Sequence, residues 1–291
     1  MSLLSKARFA LQHPTTTAAY LLTRDTDLVR VAQCEELARR RRKTTGLPSE
    51  LDELVEYLGL PRSLVIRNVV RGRDLIVARW RRTDPQTPQE IGDLHRHLWE
   101  YLFDLAYWNL TEKYQWLLGL LREEHGGAVL SFGGGIGTEA LQLAAQGNEV
   151  WYCDVPDSPV WKFAQWRAQR RGVPIHFAPE VPETEMFDGI VAFDVLETLP
   201  EAELDRIVRR MAAALKPGGR LHCNVTFTHS DGLPLTRGQQ RLWESLLAEL
   251  PLERLDERTY VKRRDGTATA VHRSEAKHPE AERLTSAGGG P

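Results

Sequence analysis

Apolar residues change their period once along the chain, near residue 126. Before that point they recur at three- and four-residue steps. Ile91, Leu94, Leu98, Leu102 and Leu105 form one such stripe, which predicts a single helix with one buried face. Thr87-Pro88-Gln89-Glu90 marks its start, with a hydroxyl to cap, a proline at the first helical position and a carboxylate to reach back. Ser49 followed by Asp52 reads as an earlier helix start. Asn109 with Glu112 predicts a restart that runs through Leu121 and ends near His125-Gly126-Gly127.

Beyond residue 126 short apolar runs alternate with helical patterns. Strands are predicted at AVLSF (128–132), EVWYCDV (149–155), PIHFA (174–178), FDGIVAFDV (187–195) and RLHCNVTF (220–227). Helices are predicted from Thr138 to Gln146, from Ser158-Pro159 to Gly172, from Glu201 to Leu215 and from Gln239 to Leu250. Alternation of this kind predicts an α/β fold with a mostly parallel sheet covered on both faces. ERTYVKRR and TATAVHRS flank Asp265-Gly266, a hairpin dipeptide, so the sheet is expected to close with an antiparallel strand. The expected organisation is a helical substrate-covering region over 1–125, a catalytic domain over 126–274 and a mobile polar tail over 275–291.

Composition narrows the class without naming a function. Apolar residues make up 42% of the 291, enough for a sizeable core, so collagen-like and wholly disordered chains are excluded. The 38 basic and 40 acidic residues nearly cancel, and bulk charge demands neither nucleic acid nor membrane as a partner. Cys34, Cys153 and Cys223 form no CxxC pair, and His95 and His97 face different sides of a helix, so neither a disulfide framework nor a metal is expected. With no long apolar run, the cytoplasm is the expected compartment.

The chemistry gathers around SFGGGIG (131–137). A glycine turn between strand and helix brings backbone close to a ligand, and the helix start offers unpaired N–H groups. Asp154 follows Gly133 by twenty-one residues, at the end of the second strand, where a carboxylate accepts both hydroxyls of a ribose. The pattern therefore points to a nucleoside cofactor. Gly135, Gly137 and Ala140 also satisfy the G-x-G-x-x-A form of the dinucleotide fingerprint, which keeps an NAD-dependent oxidoreductase open as an alternative.

The stretch from Val129 to Phe227 resembles the class I S-adenosylmethionine-dependent methyltransferase family. Three segments carry the resemblance in order: VLSFGGGIG (129–137), FDGIVAFDVLETLP (187–200) and LKPGGRL (215–221). It implies a Rossmann-like, mostly parallel seven-stranded sheet with an antiparallel closing strand, and S-adenosylmethionine as cofactor. On that resemblance Phe132, Gly133, Gly134, Gly135 and Gly137 lie at the methionine end of the cofactor, and Asp154 with Val155 at the ribose. Ala178 and Glu180 then lie at the adenine edge, and Asp194 with Val195 forms the floor beneath the sulfur. The chain departs from the family at two places. Ser131 stands where an acid is usual, so another group must serve near the cofactor's amino group. Thr198 stands where many small-molecule members have histidine.

Methyl transfer needs a nucleophile held in line with the sulfonium carbon, and a base only if the acceptor loses a proton. The substrate-side candidates are Tyr107 and Trp108, from an aromatic-rich stretch before the first strand, together with Glu197 and His229. A small organic acceptor is the expected partner, with no membrane. The competing reading is a nucleic-acid-binding protein, either an RNA methyltransferase or an inactive scaffold. Arg30 to Arg82 holds thirteen basic against seven acidic residues, including the run Arg39–Lys43, and 49–70 has a helix-turn-helix look with Gly59 at the turn and Val65 and Val69 inward.

Overall fold

The computed structural model describes residues 26–225 and 239–264. Among the described residues six helices precede the first strand: α1 (Thr26–Thr45), α2 (Glu50–Leu58), α3 (Arg62–Thr83), α4 (Pro88–Arg96), α5 (Glu100–Leu110) and α6 (Glu112–Gly119). Strands and helices then alternate as β1 (Ala128–Phe132), α7 (Thr138–Ala145), β2 (Glu149–Cys153), α8 (Pro159–Arg171), β3 (His176–Phe177), β4 (Phe187–Phe193), α9 (Glu201–Ala214), β5 (Leu215–Asn224), α10 (Gln240–Glu249), β6 (Leu252–Arg254) and β7 (Thr259–Lys262). The strands form one sheet in the order β3-β2-β1-β4-β5-β7-β6. All pairings are parallel except those of β7 with β5 and with β6. The predicted Rossmann-like sheet with its antiparallel closure and helical N-terminal part is therefore present.

Both predicted capping boxes form, at Ser49 with Asp52 and at Thr87 with Glu90. Each satisfies otherwise orphaned N–H groups, and loss of such a cap typically costs about 1 kcal/mol. Gly59 takes the left-handed conformation that ends α2 and turns the chain into α3, where Val65 and Val69 are buried.

Three boundaries differ from the sequence pattern. The stripe from Ile91 to Leu105 is two helices, because the hydrogen bonds tighten to three-residue steps at His97 N to Leu94 O and Leu98 N to His95 O. The break lets the two halves serve separate cores. Leu94 and Leu98 pack with Ile76 and Trp80, whereas Leu102, Ala106 and Leu110 join Cys34, Leu51, Leu54, Val65 and Val69. Next, α6 is capped by Thr111, whose hydroxyl accepts from Tyr114 N, and it ends at Gly119; Asn109 is the buried penultimate residue of α5. Finally, β6 is a strand the pattern did not predict, paired antiparallel with β7, which ERTYVKRR contributes. The dipeptide, TATAVHRS, His229 and the segment 275–291 lie outside the described residues.

The core that unites α1, α2, α3 and α5 also contains Ile136, Val160 and Phe163, so the helical part packs directly on the glycine turn and on α8. The crossing of α3 and α5 is close because Gly72 has no side chain. A Cβ there would lie 2.4 Å from the backbone nitrogen of Asp104. Gly72→Ala is expected to lower stability by about 1 to 3 kcal/mol, since both backbones must separate. Gly92→Ala in α4 meets nothing within 4 Å and is the control. It should be neutral or stabilising by up to about 1 kcal/mol through helix propensity. Urea midpoints of the two variants check the contrast, and equal midpoints would contradict it.

Candidate functional site

The turn after β1 is held by β2, by α8 and by one bond within itself. Gly133 N donates to Cys153 O at 2.7 Å, and Gly137 N closes the turn onto Gly134 O at 2.7 Å. Tyr152 Oη donates to Gly135 O at 2.6 Å, and Arg167 Nη1 donates to Ile136 O at 2.6 Å. Glycine is required at 133 on two counts, a φ of 64° and a Cβ position 2.3 Å from Val195 Cγ2. Gly135 and Gly137 also have positive φ. The turn is thus pinned by its carbonyls while its upper side faces α5. There a Cβ on Gly135 would lie 2.9 Å from Leu105 Cδ1.

Asp154, one residue beyond β2, reaches back over the turn. Its Oδ2 accepts from Gly135 N at 2.8 Å and its Oδ1 from Val155 N at 2.7 Å. Burial nonetheless raises its pKa above the usual aspartate value, the two amides only partly offsetting it. Each oxygen keeps a second lone pair, so ribose hydroxyls are suitable additional donors. Phe132 is buried beneath the turn and Ala178 is buried after β3, its N bonded to Tyr152 O at 2.9 Å. Glu180 pairs with Arg210 at 2.5 Å and is largely exposed.

At the end of β4, Asp194 has a φ of 51°, uncommon for any residue but glycine. Asn224 of β5 holds it there, accepting from Asp194 N at 2.8 Å and donating to its Oδ1 at 2.5 Å. The other oxygen, Oδ2, is buried without a partner, as is Oε2 of Glu197 one turn further on. Glu197 is 6% exposed. Burial, with a smaller contribution from Asp194, pushes its pKa up to about 7. Trp108 stands near Asp194, and Lys113 Nζ sits 4.9 Å above the Trp108 ring, its charge felt by both carboxylates.

Tyr101, absent from the sequence-based candidates, sits among these groups. Burial first, then the charges of Asp154, Asp104, Asp194 and Glu197, push its phenol well above the ordinary value. Tyr107 belongs instead with Cys34 and Arg30 on the far side of α5. The five-residue basic run is not an open stripe either. Arg39 and Arg40 pair with Glu36, Arg41 with Glu50 and Arg42 with Asp52. Among the described residues no helix is long and apolar enough to cross a membrane, and no three His, Cys, Asp or Glu side chains group as a metal site.

Two buried groups under the turn were also missed. Arg167 of α8 has no exposed surface, and it bonds Glu53 Oε2 at 2.7 Å and Thr138 Oγ1 at 2.9 Å besides Ile136 O. Glu139 of α7 accepts from Ser131 Oγ at 3.1 Å and from the hydroxyl of Tyr114. A single charged residue inside a helix carries no sequence signal of burial, which is why neither was foreseen.

The donor set fits a nucleoside sulfonium cofactor. The glycines leave a cradle that any Cβ would fill, Asp154 keeps lone pairs that can accept from a hydroxyl, and the partnerless oxygens of Asp194 and Glu197 stand where a cationic or donor-bearing group would satisfy them. Residues 130–221 match a family model described as a methyltransferase domain. Among solved structures, the chain is similar to the [4+2]-cyclase SpnF at 28% identity, covering 49% of this chain and 58% of that one, with a TM-score of 0.40. It is also similar to the 1,6-didemethyltoxoflavin-N1-methyltransferase of Burkholderia thailandensis, at 19% identity over 62% of this chain and 92% of that one, with a TM-score of 0.45. The N-methyltransferase NodS from Bradyrhizobium japonicum is 20% identical over 52% of this chain and 86% of that one, with a TM-score of 0.41. A search of curated proteins finds no match. With its glycine turn and its acid at the end of β2, inside a sheet closed by an antiparallel strand, the segment 130–221 is similar to a methyltransferase domain.

Proposed function

We propose that the chain moves a methyl group from S-adenosylmethionine to a small organic acceptor by in-line displacement. The observation that carries this reading is the pair of buried, partnerless carboxylate oxygens on Asp194 and Glu197 beside a glycine turn over which Asp154 reaches. The cofactor supplies an electrophilic methyl carbon. The chain's residues hold, orient and desolvate. Gly133, Gly134, Gly135, Gly137 and Phe132 form the cradle at the methionine end, Asp154 and Val155 take the ribose, Ala178 the adenine edge, and Asp194 and Val195 the floor. Trp108 and Glu197 face the acceptor. Tyr101 and Leu105, on α5, exclude water from above.

Enclosure favours a small acceptor over a polymer, since a side chain as covered as Glu197 is out of reach of a folded macromolecule without displacement of α5. Glu197 suits an acceptor that must lose a proton. A carboxylate with a pKa pushed up to about 7 accepts a proton at neutral pH more readily than an ordinary glutamate.

Calorimetric titration with S-adenosylmethionine, S-adenosylhomocysteine and NAD in parallel tests the reading. Saturable binding of the two sulfur nucleosides is expected; binding of NAD alone would end it. Asp154→Ala should weaken S-adenosylhomocysteine binding by about 1 to 3 kcal/mol, the cost of unpairing buried polar groups. Unchanged affinity would remove Asp154 from the site.

A further inference from the structure

The first-strand acid usual in this family is Ser131 here, yet the space beneath the turn holds a carboxylate. Ser131 Oγ lies 2.5 Å from where a Cβ on Gly134 would be, directly under the cradle, and it donates to Glu139 Oε1 at 3.1 Å. Glu139 is 3% exposed and stands in the first turn of α7. Its second oxygen takes the hydroxyl of Tyr114, which α6 inserts from the helical part of the chain. We infer that Glu139, through its bond to Ser131, is the positioning residue that supplies the negative charge under the cofactor's methionine end, replacing the missing strand-borne acid. The inference rests on the methyltransferase reading.

Among the described residues Glu139 makes no ion pair; Tyr114 and Ser131 are its side-chain partners, and a carboxylate so enclosed without a cation is a candidate functional group. Burial pushes its pKa up to about 7, while Tyr114, its own backbone N–H and Ser131 hold it down and Asp154 pushes it further up. Around it stand Tyr114 from α6, Asp154 and Tyr152 from β2 and the residue after it, and, facing Tyr114, Glu50 from α2 and Arg167 from α8. An ammonium group above the turn would favour the ionised form. Ligand binding below about pH 7 should therefore release a proton, and affinity should fall as pH drops, by at most about tenfold per unit.

The test is calorimetry of the whole protein with S-adenosylhomocysteine between pH 6 and 8, in two buffers of different ionisation heat. Wild-type binding at any pH upholds the parent reading independently of this one. The expected results are a buffer-dependent proton release below pH 7 and, for Glu139→Gln at pH 8, a loss of about ten- to a hundredfold in affinity with the proton release abolished. Ser131→Asp/Glu139→Ser, which returns the acid to the strand, should recover most of that loss. Tyr114→Phe removes a bond that favours the carboxylate and should move the pH midpoint upward, an outcome that remains measurable if Glu139→Gln fails to fold. Equal affinity and an unchanged pH profile in Glu139→Gln, or an unmoved midpoint in Tyr114→Phe, would overturn the assignment.

Discussion

Arg167→Ala will destabilise the protein by about 3 to 5 kcal/mol, the loss expected when one member of a buried ion pair is removed and its partner is stranded. Three hydrogen bonds and an ion pair go at once: Glu53 at 2.7 Å, Ile136 O at 2.6 Å, Thr138 Oγ1 at 2.9 Å and, as the ion pair, Glu50 at 3.8 Å. Glu53 is 2% exposed and keeps only Arg171, at 2.6 Å, while Glu50, 1% exposed, keeps Arg41 at 3.3 Å. Arg167→Lys should recover only part of the loss, because an ammonium cannot reproduce a planar fork that reaches a carboxylate and a carbonyl together.

The deficit has a pH signature. Burial alone would raise the pKa of Glu53, but Arg167 and Arg171 more than reverse this and lower it below 4.5. A depressed carboxylate contributes stability above its unfolded pKa and loses it as pH falls through the folded value. The gap between wild type and Arg167→Ala should therefore be widest near neutrality and narrow below about pH 4. Urea unfolding at pH 7.5 and pH 4 measures it. A loss under about 1 kcal/mol at neutral pH would mean that the buried network is dispensable.

Gly133→Ala is the second large effect. Its Cβ would stand 2.3 Å from Val195 Cγ2 and 2.7 Å from Val195 Cβ, at a φ of 64°. Overpacking of this degree costs about 1 to 3 kcal/mol, and the left-handed conformation adds roughly 1 to 2 for a residue with a Cβ. The combined loss should fall between about 2 and 5 kcal/mol. Gly133→Ala/Val195→Ala relieves the clash and not the dihedral strain, so about 1 to 2 kcal/mol should persist. Cofactor titration below the melting range of each variant then separates lost shape from lost fold. If the single variant matched wild type in both stability and affinity, the close approach of β4 to the turn would have no energetic weight.

Much of the site was legible because its signals are local. A strand, a glycine turn and a helix start are neighbours in the chain, and Asp154 follows at the distance one helix and one strand impose. The same holds for the cap at Thr87 and the stop at Gly172. The break between α4 and α5 was not legible. No proline or glycine marks it, and it is imposed by two cores that pull Leu98 and Leu102 toward different partners. Tyr107 and Tyr101 show the same limit, since both are aromatic residues of one stretch and only packing decides which reaches the carboxylates.

The amino-acid pattern by itself determined the alternation of strands and helices from β1 to α10, the place of the turn, and the acid beside it, because alternation, caps and glycines act over a few residues. Only the tertiary structure decided that Glu139 lies under the turn against Ser131, that Arg167 joins α8 to Glu53 across 114 positions, and that the arginines of 39–42 are spent on neighbouring acids. Those outcomes depend on which charges are brought out of water together, and desolvation is a property of the packed chain rather than of any segment of it.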